Sequence, residues 1–533
     1  MGNRVAVFEK LTDENLKKAI QEKCNVIIYN DFELEKTPEN IQLINAREFH
    51  HEGQWLVYQQ NSANLQKAFK RFGLKSKLPP VDFFNGLKKL IFWTNNSIGN
   101  LEIAIQKNTT PEDLIFFFNG SYVLSKIQYL IRIYWFYISD QLKGKKLVSR
   151  DGFIPNKSEG FKVGVYFKDD FEFQCYYDLL LLGAKKEGFV LIGKPGAVYS
   201  DKTLSLIEKL GAKFILPSGE CVTTPYSGFP LIKALACSKG ELHALLHIMK
   251  NWRKIQKEYA FALQLKALNL NALLVNEEEN RYTGNLYSSV LKNSETSIVN
   301  TMNGVKAGEP NDSDVDFDHW AIWDSEMKKM LIEKANVPSE RLKVIGHLQE
   351  DNIRNHQFAN SIHSKASDLE NKKVISVFSV ADNRQEKLDL LDLIRKKYMD
   401  NSDYVILFRP HPLEKNNPEI LELSQHNNFE VIEYNFDNSK TTLYDQLLVT
   451  DLAIVFSSTI ALEANWIGVP SVTLEYRKES ILYFVDRKNI SHISSLDELD
   501  NKLNEVQIRK DKFKAKVRAY PVTEKYIDFL YSL

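Results

Sequence analysis

The stretch "TDLAIVFSSTIALEANWIGVPSVTLE", Thr450–Glu475, decides the fold class. It opens on "LAIVF", a short apolar run rich in β-branched residues that reads as a buried strand. It continues through "TIALEANWIG", whose apolar residues recur at helical spacing, and closes on a second strand-like run, "SVTLEY". Strand, helix and strand in that order form a unit of a parallel sheet with the helix packed on one face. The same alternation extends upstream to Lys372. The runs "KVISVF", "YVILFR" and "FEVIEY" are strand candidates, and "NRQEKLDLLDLIRKKYM", "NPEILELSQH" and "TTLYDQLLV" are helical. In such a sheet, ligands sit beyond the carboxyl ends of the strands.

A second set of strand-like runs precedes this one: "KVGVYF", "FVLIG", "KFIL", "NALLV", "TSIVN", "HWAIW" and "LKVIG", with a long proline-free helical window from Lys239 to Leu268. The first 160 residues carry "VAVF", "NVIIYN" and "LIFFF" and are also α/β in character. With 533 residues the chain exceeds what a single core usually serves. The expected organisation is an N-terminal α/β region over 1–160, either a domain of its own or the start of the sheet that follows, a Rossmann-like domain over 161–340, a second over 341–505, and a helical segment over 506–533. The polar stretch 355–371 reads as the connection between the two later domains.

Composition narrows the function classes. Hydrophobic residues make up 44% and charged residues 26%, the balance of an ordinary soluble protein. Sixty-nine basic residues match sixty-nine acidic ones, so no global field draws the chain to nucleic acid. Cys24, Cys175, Cys221 and Cys237 are far apart and lack metal-ligand spacing, which suits a reducing compartment. The beginning "MGNRVAVFEK" has no apolar core of signal-peptide length. The expectation is a cytoplasmic enzyme.

One window tests that expectation. "YVLSKIQYLIRIYWFYISDQLKGKK", Tyr122–Lys146, is the most apolar part of the chain, but Lys126 and Arg132 interrupt it. No uninterrupted run reaches the roughly 18 to 20 residues needed to cross a bilayer. It reads first as a mostly buried helix. Its second reading is a helix lying on the inner face of the cytoplasmic membrane, with Lys143, Lys145 and Lys146 as a basic flank.

The polar residues at strand ends are the site candidates. "YVILFRPHP" ends in Arg409, then His411 between Pro410 and Pro412, which fix the local backbone and disfavour helix. A guanidinium is a fixed fork for phosphate, and an imidazole can donate to the same oxygens. Ser457, Ser458 and Thr459 fall where "LAIVF" passes into its helix, a position suited to anions but equally to plain helix capping. Glu463 lies one turn further on, placed for a ribose hydroxyl or for solvent. Upstream, "LLVNEEENRYTG" ends a strand in Glu277, Glu278 and Glu279. Neighbouring like charges raise one another's pKa, so one of the three is a candidate base, with a solvated acidic loop as the plain alternative. The acids of "NDSDVDFD", Asp312, Asp314, Asp316 and Asp318, are the one place suited to an oxygen-loving cation; no metal is expected.

Together, "FDHWAIWDSEMKKMLIEKANVPSERLKVIGHLQED", "YVILFRPHP" and "TDLAIVFSSTIALEANWIGVPSVTLE" resemble the successive landmarks of bacterial surface-polysaccharide glycosyltransferases of the two-domain GT-B fold. That group includes sialyl-, Kdo- and polyol-phosphate-transferring enzymes. The resemblance implies two Rossmann-like domains facing a cleft. It also implies that His411 with Pro412, and Ser457 with Ser458, contact the phosphate of a cytidine nucleotide donor. Where such proteins often carry His-Gly, this chain has Asn303-Gly304 in "IVNTMNGVKAGEP". Arg281 and Lys306 are candidates to hold the carboxylate of a CMP-linked 2-keto sugar acid. The partners implied are a nucleotide-sugar donor as co-substrate and a glycan or lipid-linked acceptor, with no separate cofactor. Three competitors remain: a nucleotide-sugar 2-epimerase, a transferase of polyol phosphate from a CDP-linked donor, and a non-catalytic scaffold.

Overall fold

The computed structural model describes residues 4–34, 41–49, 67, 101, 103–104, 106–107, 114–116, 126–143, 146–148, 160–195, 197–216, 221–223, 239–276, 290–291, 294–301, 317–359, 369–380, 385–399, 401–411, 414, 418–432, 439–456, 458–476, 483–484, 487, 489–513 and 521–533. The chain divides into two compact units. The first runs to Gly346 and takes in Thr523–Leu533; the second spans His347–Val522.

The first unit holds two parallel sheets. The N-terminal one comprises β1 (Val5–Thr12), β2 (Val26–Glu33), β3 (Gln42–Asn45) and β4 (Leu114–Phe116) in the order β3-β2-β1-β4. Thr12 caps α1 (Asp13–Gln21) by accepting from the Asn15 N–H. These four strands form a sheet of their own. Next come α2 (Lys126–Leu142) and β5 (Lys146–Val148). The larger sheet begins with β6 (Val163–Phe167), α3 (Asp170–Gly183), β7 (Phe189–Gly193), α4 (Asp201–Leu210) and β8 (Lys213–Ile215). After β9 (Cys221–Thr223), which pairs antiparallel with β5, and the long α5 (Lys239–Ala267), it is completed by β10 (Ala272–Val275), β11 (Ser297–Thr301), β12 (His319–Ile322), α6 (Ser325–Ala335) and β13 (Leu342–Val344). Its order is β13-β12-β11-β10-β6-β7-β8, all parallel.

The second unit starts with α7 (Glu350–Arg354), then alternates β14 (Lys373–Phe378), α8 (Gln385–Lys397), β15 (Tyr404–Arg409), α9 (Pro418–Leu423), β16 (Phe429–Val431), α10 (Ser439–Val449), β17 (Leu452–Val455), α11 (Ile460–Trp466), β18 (Ser471–Leu474), β19 (Ile490–Ile493) and α12 (Leu496–Asn504). The order is β16-β15-β14-β17-β18-β19, every pair parallel. Counted within the sheet this is 3-2-1-4-5-6, the order of dinucleotide-binding folds. Strands covered on both faces must be apolar on both, and these are. Ile375, Val377, Ile406 and Phe408 enter one core, while Val374, Val405 and Leu407 enter the other. Gly468 takes φ 80° where α11 ends, and the Val469 N–H then reaches back to Ala464 O, turning the chain into β18. The final helix, α13 (Val522–Ser532), returns to the first unit, where the Tyr526 hydroxyl and Thr301 Oγ1 lie 2.9 Å apart.

The amino end of this sheet is held by buried charge. Asp451 accepts from the Val374 N–H at 2.8 Å and pairs with Lys512 Nζ at 2.7 Å. Lys512 in turn donates to the carbonyls of Leu369 and Lys372.

Candidate functional site

Register brings the candidate residues together. Phe378 of β14 is paired with Arg409 on one side and Val455 on the other, so the carboxyl ends of β15, β14 and β17 stand in a row. Strand order reverses between β14 and β17, the switch point at which doubly wound sheets open a crevice. Arg409 and Val455 are two strand spacings apart, about 10 Å, with Phe378 of β14 between them. The residues that follow are His411 on one side, Ser379 in the middle and Ser458 on the other.

Each is fixed differently. Arg409 is 7% exposed, and both terminal nitrogens lie 3.3 Å from the Thr442 hydroxyl on α10. It stands behind the strand end rather than as an open fork. The Ser379 N–H donates to Arg409 O at 2.9 Å, tying the ends of β14 and β15. His411 is half-buried, and its backbone is closed into a tight loop: its N–H donates to Glu414 Oε2 at 3.2 Å, and its carbonyl accepts from the Glu414 N–H at 2.8 Å. Glu414 is itself held by Lys387 of α8, fully buried and 3.0 Å away. Lys387 Nζ also donates to Val380 O just past β14. One ammonium therefore joins the loops after β14 and β15. Sequence reading did not single out Lys387 or Glu414. The signal was there: Lys387 sits at helical spacing with Leu390, Leu391 and Ile394, on the face that enters the core.

On the other side of the switch, Ser458 Oγ accepts from the Ile460 N–H, the first of α11, at 3.3 Å, while Thr459, at the N-cap position, makes no side-chain capping bond. The two hydroxyls thus divide, one engaged with the helix and one outside that role. With seven residues, α11 carries only a short dipole. Glu463 is buried at 6% exposure, which removes the solvated-glutamate reading. At the end of β18, the Tyr476 N–H donates to Glu386 Oε1 and its hydroxyl to Asp389 Oδ2. Burial, then the carboxylates of Asp389 and Glu386, push the Tyr476 phenol well above its usual range, so it acts as a donor.

The larger sheet of the first unit has its own switch point, between β6 and β10. Lys168 follows β6 and donates to Asn276 O, just past β10, at 2.6 Å; it also lies 3.6 Å from Glu172. The buried Asn276 Oδ1 takes no hydrogen bond among the described residues. Tyr199 donates to Phe167 O beside them, its phenol raised by burial. Neither Lys168 nor Asn276 was picked out from the sequence. Asp318, taken there as one of four acids for a cation, accepts from the Ile298 N–H at 2.8 Å and serves β-sheet structure. No group of three metal-ligating side chains occurs among the described residues. Glu277, Glu278, Glu279, Arg281, Asn303, Gly304, Lys306, Asp312, Asp314, Asp316, Pro412 and Ser457 lie outside the described residues.

Fold and site define a doubly wound α/β protein of two Rossmann-like units with polar strand ends at each switch point. No family model matches the chain, and neither does any curated protein. Solved structures similar to it include a UDP-GlcNAc 2-epimerase from Neisseria meningitidis bound to UDP-GlcNAc, at 13% identity over 70% of this chain and 100% of that one, TM-score 0.45. The wall teichoic acid polymerase TagF is 14% identical over 76% of this chain and 88% of that one, TM-score 0.38. The lipopolysaccharide outer core galactosyltransferase WaaB is 10% identical over 70% and 99%, TM-score 0.43.

Proposed function

We propose that the protein is a metal-independent glycosyltransferase that moves a sugar from a nucleotide donor to a surface-glycan acceptor on the cytoplasmic side. The observation that carries this reading is the rim of the second unit, where His411 and Ser458 flank the β14/β17 switch point with the Arg409 guanidinium behind them. The motif resemblance, with His411-Pro412 and Ser457-Ser458 on a nucleotide phosphate, points the same way. In transfer, the bond from the anomeric carbon to the donor phosphate breaks and the nucleotide departs with the electron pair. His411, Ser458 and Thr459 donate to the oxygens on which that charge develops, where preorganised donors are most effective. The acceptor hydroxyl forms the new glycosidic bond, and a carboxylate of the Glu277–Glu279 run takes its proton.

A CMP-linked 2-keto sugar acid, such as Kdo or a sialic-acid-like sugar, is the donor this inventory favours. One histidine and a few hydroxyls, with the Arg409 guanidinium buried behind them, match a monophosphate better than a diphosphate. Arg281 or Lys306 would pair with the sugar's carboxylate, and Asn303-Gly304 would allow close approach to the substrate. Incubation with CMP-, CDP- and UDP-sugars, with and without acceptor glycan, tests the reading. Acceptor-dependent release of CMP is expected. Donor isomerisation without acceptor would replace the reading with an epimerase, and transfer of a polyol phosphate with CMP release from a CDP donor would make it a phosphotransferase.

A further inference from the structure

The described part of the window that reads first as a mostly buried helix, α2, is half exposed over 130–143. In α2, Ile133 is buried, and Asp140 is bound to Arg253 of α5, whose Nη2 also donates to Asp140 O at 2.9 Å. The other side is open: Ile131, Tyr134, Trp135, Ile138 and Leu142 are all exposed, Ile131 and Trp135 at 62% and Leu142 at 82%. Steps of three, one, three and four place them on one stripe of the helix, about 16 Å long at 1.5 Å per residue. A monomeric soluble surface scatters its exposed apolar residues, and a continuous stripe of this size marks a contact surface.

We propose that this face of α2 docks on an anionic lipid surface, lying in the headgroup region parallel to the bilayer plane. Two features select lipid over a protein groove. The stripe joins aliphatic residues to Trp135 and Tyr134, whose apolar rings and polar tips suit the boundary between headgroups and acyl chains. Cations border it: Arg132 and Lys143 are exposed, and Lys145 and Lys146 follow in sequence, so the charge beside the stripe is positive in a chain whose net charge is zero. Among the described residues no helix is long and apolar enough to cross a membrane, which fits docking rather than spanning. The inference does not depend on the proposed chemistry. It adds a place of work: an enzyme held at the inner leaflet meets a lipid-linked acceptor by diffusion in two dimensions.

Flotation of the full-length protein with vesicles of phosphatidylcholine alone, or of phosphatidylcholine and phosphatidylglycerol in equal parts, tests it. Binding is expected to the mixed vesicles and to fall with salt. Trp135→Ser combined with Ile138→Ser should abolish flotation, and Arg132→Glu with Lys143→Glu should weaken it by at least about fivefold per cation. These side chains are exposed, so the melting temperature is expected to stay constant. Should the apolar variant melt early, the charge variant decides alone. Wild-type protein that does not float, floats equally on uncharged vesicles, or is unaffected by the charge variant would overturn the proposal. So would a wild-type dimer that the apolar variant dissolves while vesicle binding stays absent, which would assign the face to a second copy.

Discussion

Lys387 Nζ and Glu414 Oε1 lie 3.0 Å apart with both side chains buried, and the second oxygen of the same carboxylate takes the His411 N–H at 3.2 Å. A buried ion pair is poor value for stability alone, because desolvation offsets most of its attraction. Its use here is positional: it holds the loop bearing His411 against the end of β14. Lys387→Met leaves an unpaired buried carboxylate and should cost about 3 to 5 kcal/mol in a urea melt. Lys387→Met with Glu414→Met should recover most of that stability but not the activity, since His411 loses its clasp. A fully active double variant would show the pair to be structural only.

His411→Ala should abolish transfer while the melting temperature stays within a degree or two of wild type. The imidazole is half-buried at a loop and belongs to neither core of the second unit. Single-turnover assays beside a thermal melt separate the two effects.

Ser458 has two tasks to distinguish. As the acceptor of the first N–H of α11 its loss should cost about 1 kcal/mol of stability. Its Oγ still has a proton to donate while accepting the Ile460 N–H. Ser458→Ala is therefore expected to weaken nucleotide binding as well, by about 1 to 3 kcal/mol for a bond to a charged group. Thr459→Val, which removes no cap, should lower affinity with little change in stability. Unchanged calorimetric affinity in both variants would reduce the pair to helix capping.

At the opposite end of the same sheet, Asp451→Ala should cost about 3 to 5 kcal/mol, because it strands Lys512 and frees the Val374 N–H. Nucleotide affinity measured below the new melting temperature should not change. The contrast with Ser458 separates the structural from the functional rim.

His319 gives a pH signature. Burial, then the nearby Lys343, lower its pKa below the ordinary 6.5, with Asp318 opposing. The unfolded chain therefore binds more protons in the window from that lowered value up to 6.5, so stability rises with pH across it and is lost as pH falls. The ring packs edge-on against Phe529 of α13 at 5.5 Å, so α13 should loosen first. His319→Gln should flatten the melting curve over that window; an unaltered slope would assign the acid sensitivity elsewhere.

The strands were legible because a parallel sheet covered on both faces writes continuous apolar runs. "KVISVF" and "YVILFR" are β14 and β15 residue for residue. β19, "ISHI", was not seen, since its two central residues are polar and only half-buried at the sheet edge. β5 and β9, three residues each, are set by pairing with one another rather than by local preference. In the site, prolines made His411 conspicuous. The burial of Arg409 was not legible, because it depends on Thr442, thirty-three residues away on a helix whose docking is a long-range fact. Lys387 was hidden by the habit of assigning helix lysines to solvent, although its spacing placed it on the apolar face.

On the proposed function, a nucleotide phosphate binds at the carboxyl ends of β14, β15 and β17 in the second unit. Calorimetric titration of CMP, CDP and UDP into wild type, His411→Ala and Ser458→Ala tests it most directly. Tighter binding of a cytidine nucleotide than of UDP is expected, weakened about 5- to 100-fold in each variant. Equal affinity in all three proteins, or preference for UDP with no loss in either variant, would contradict it.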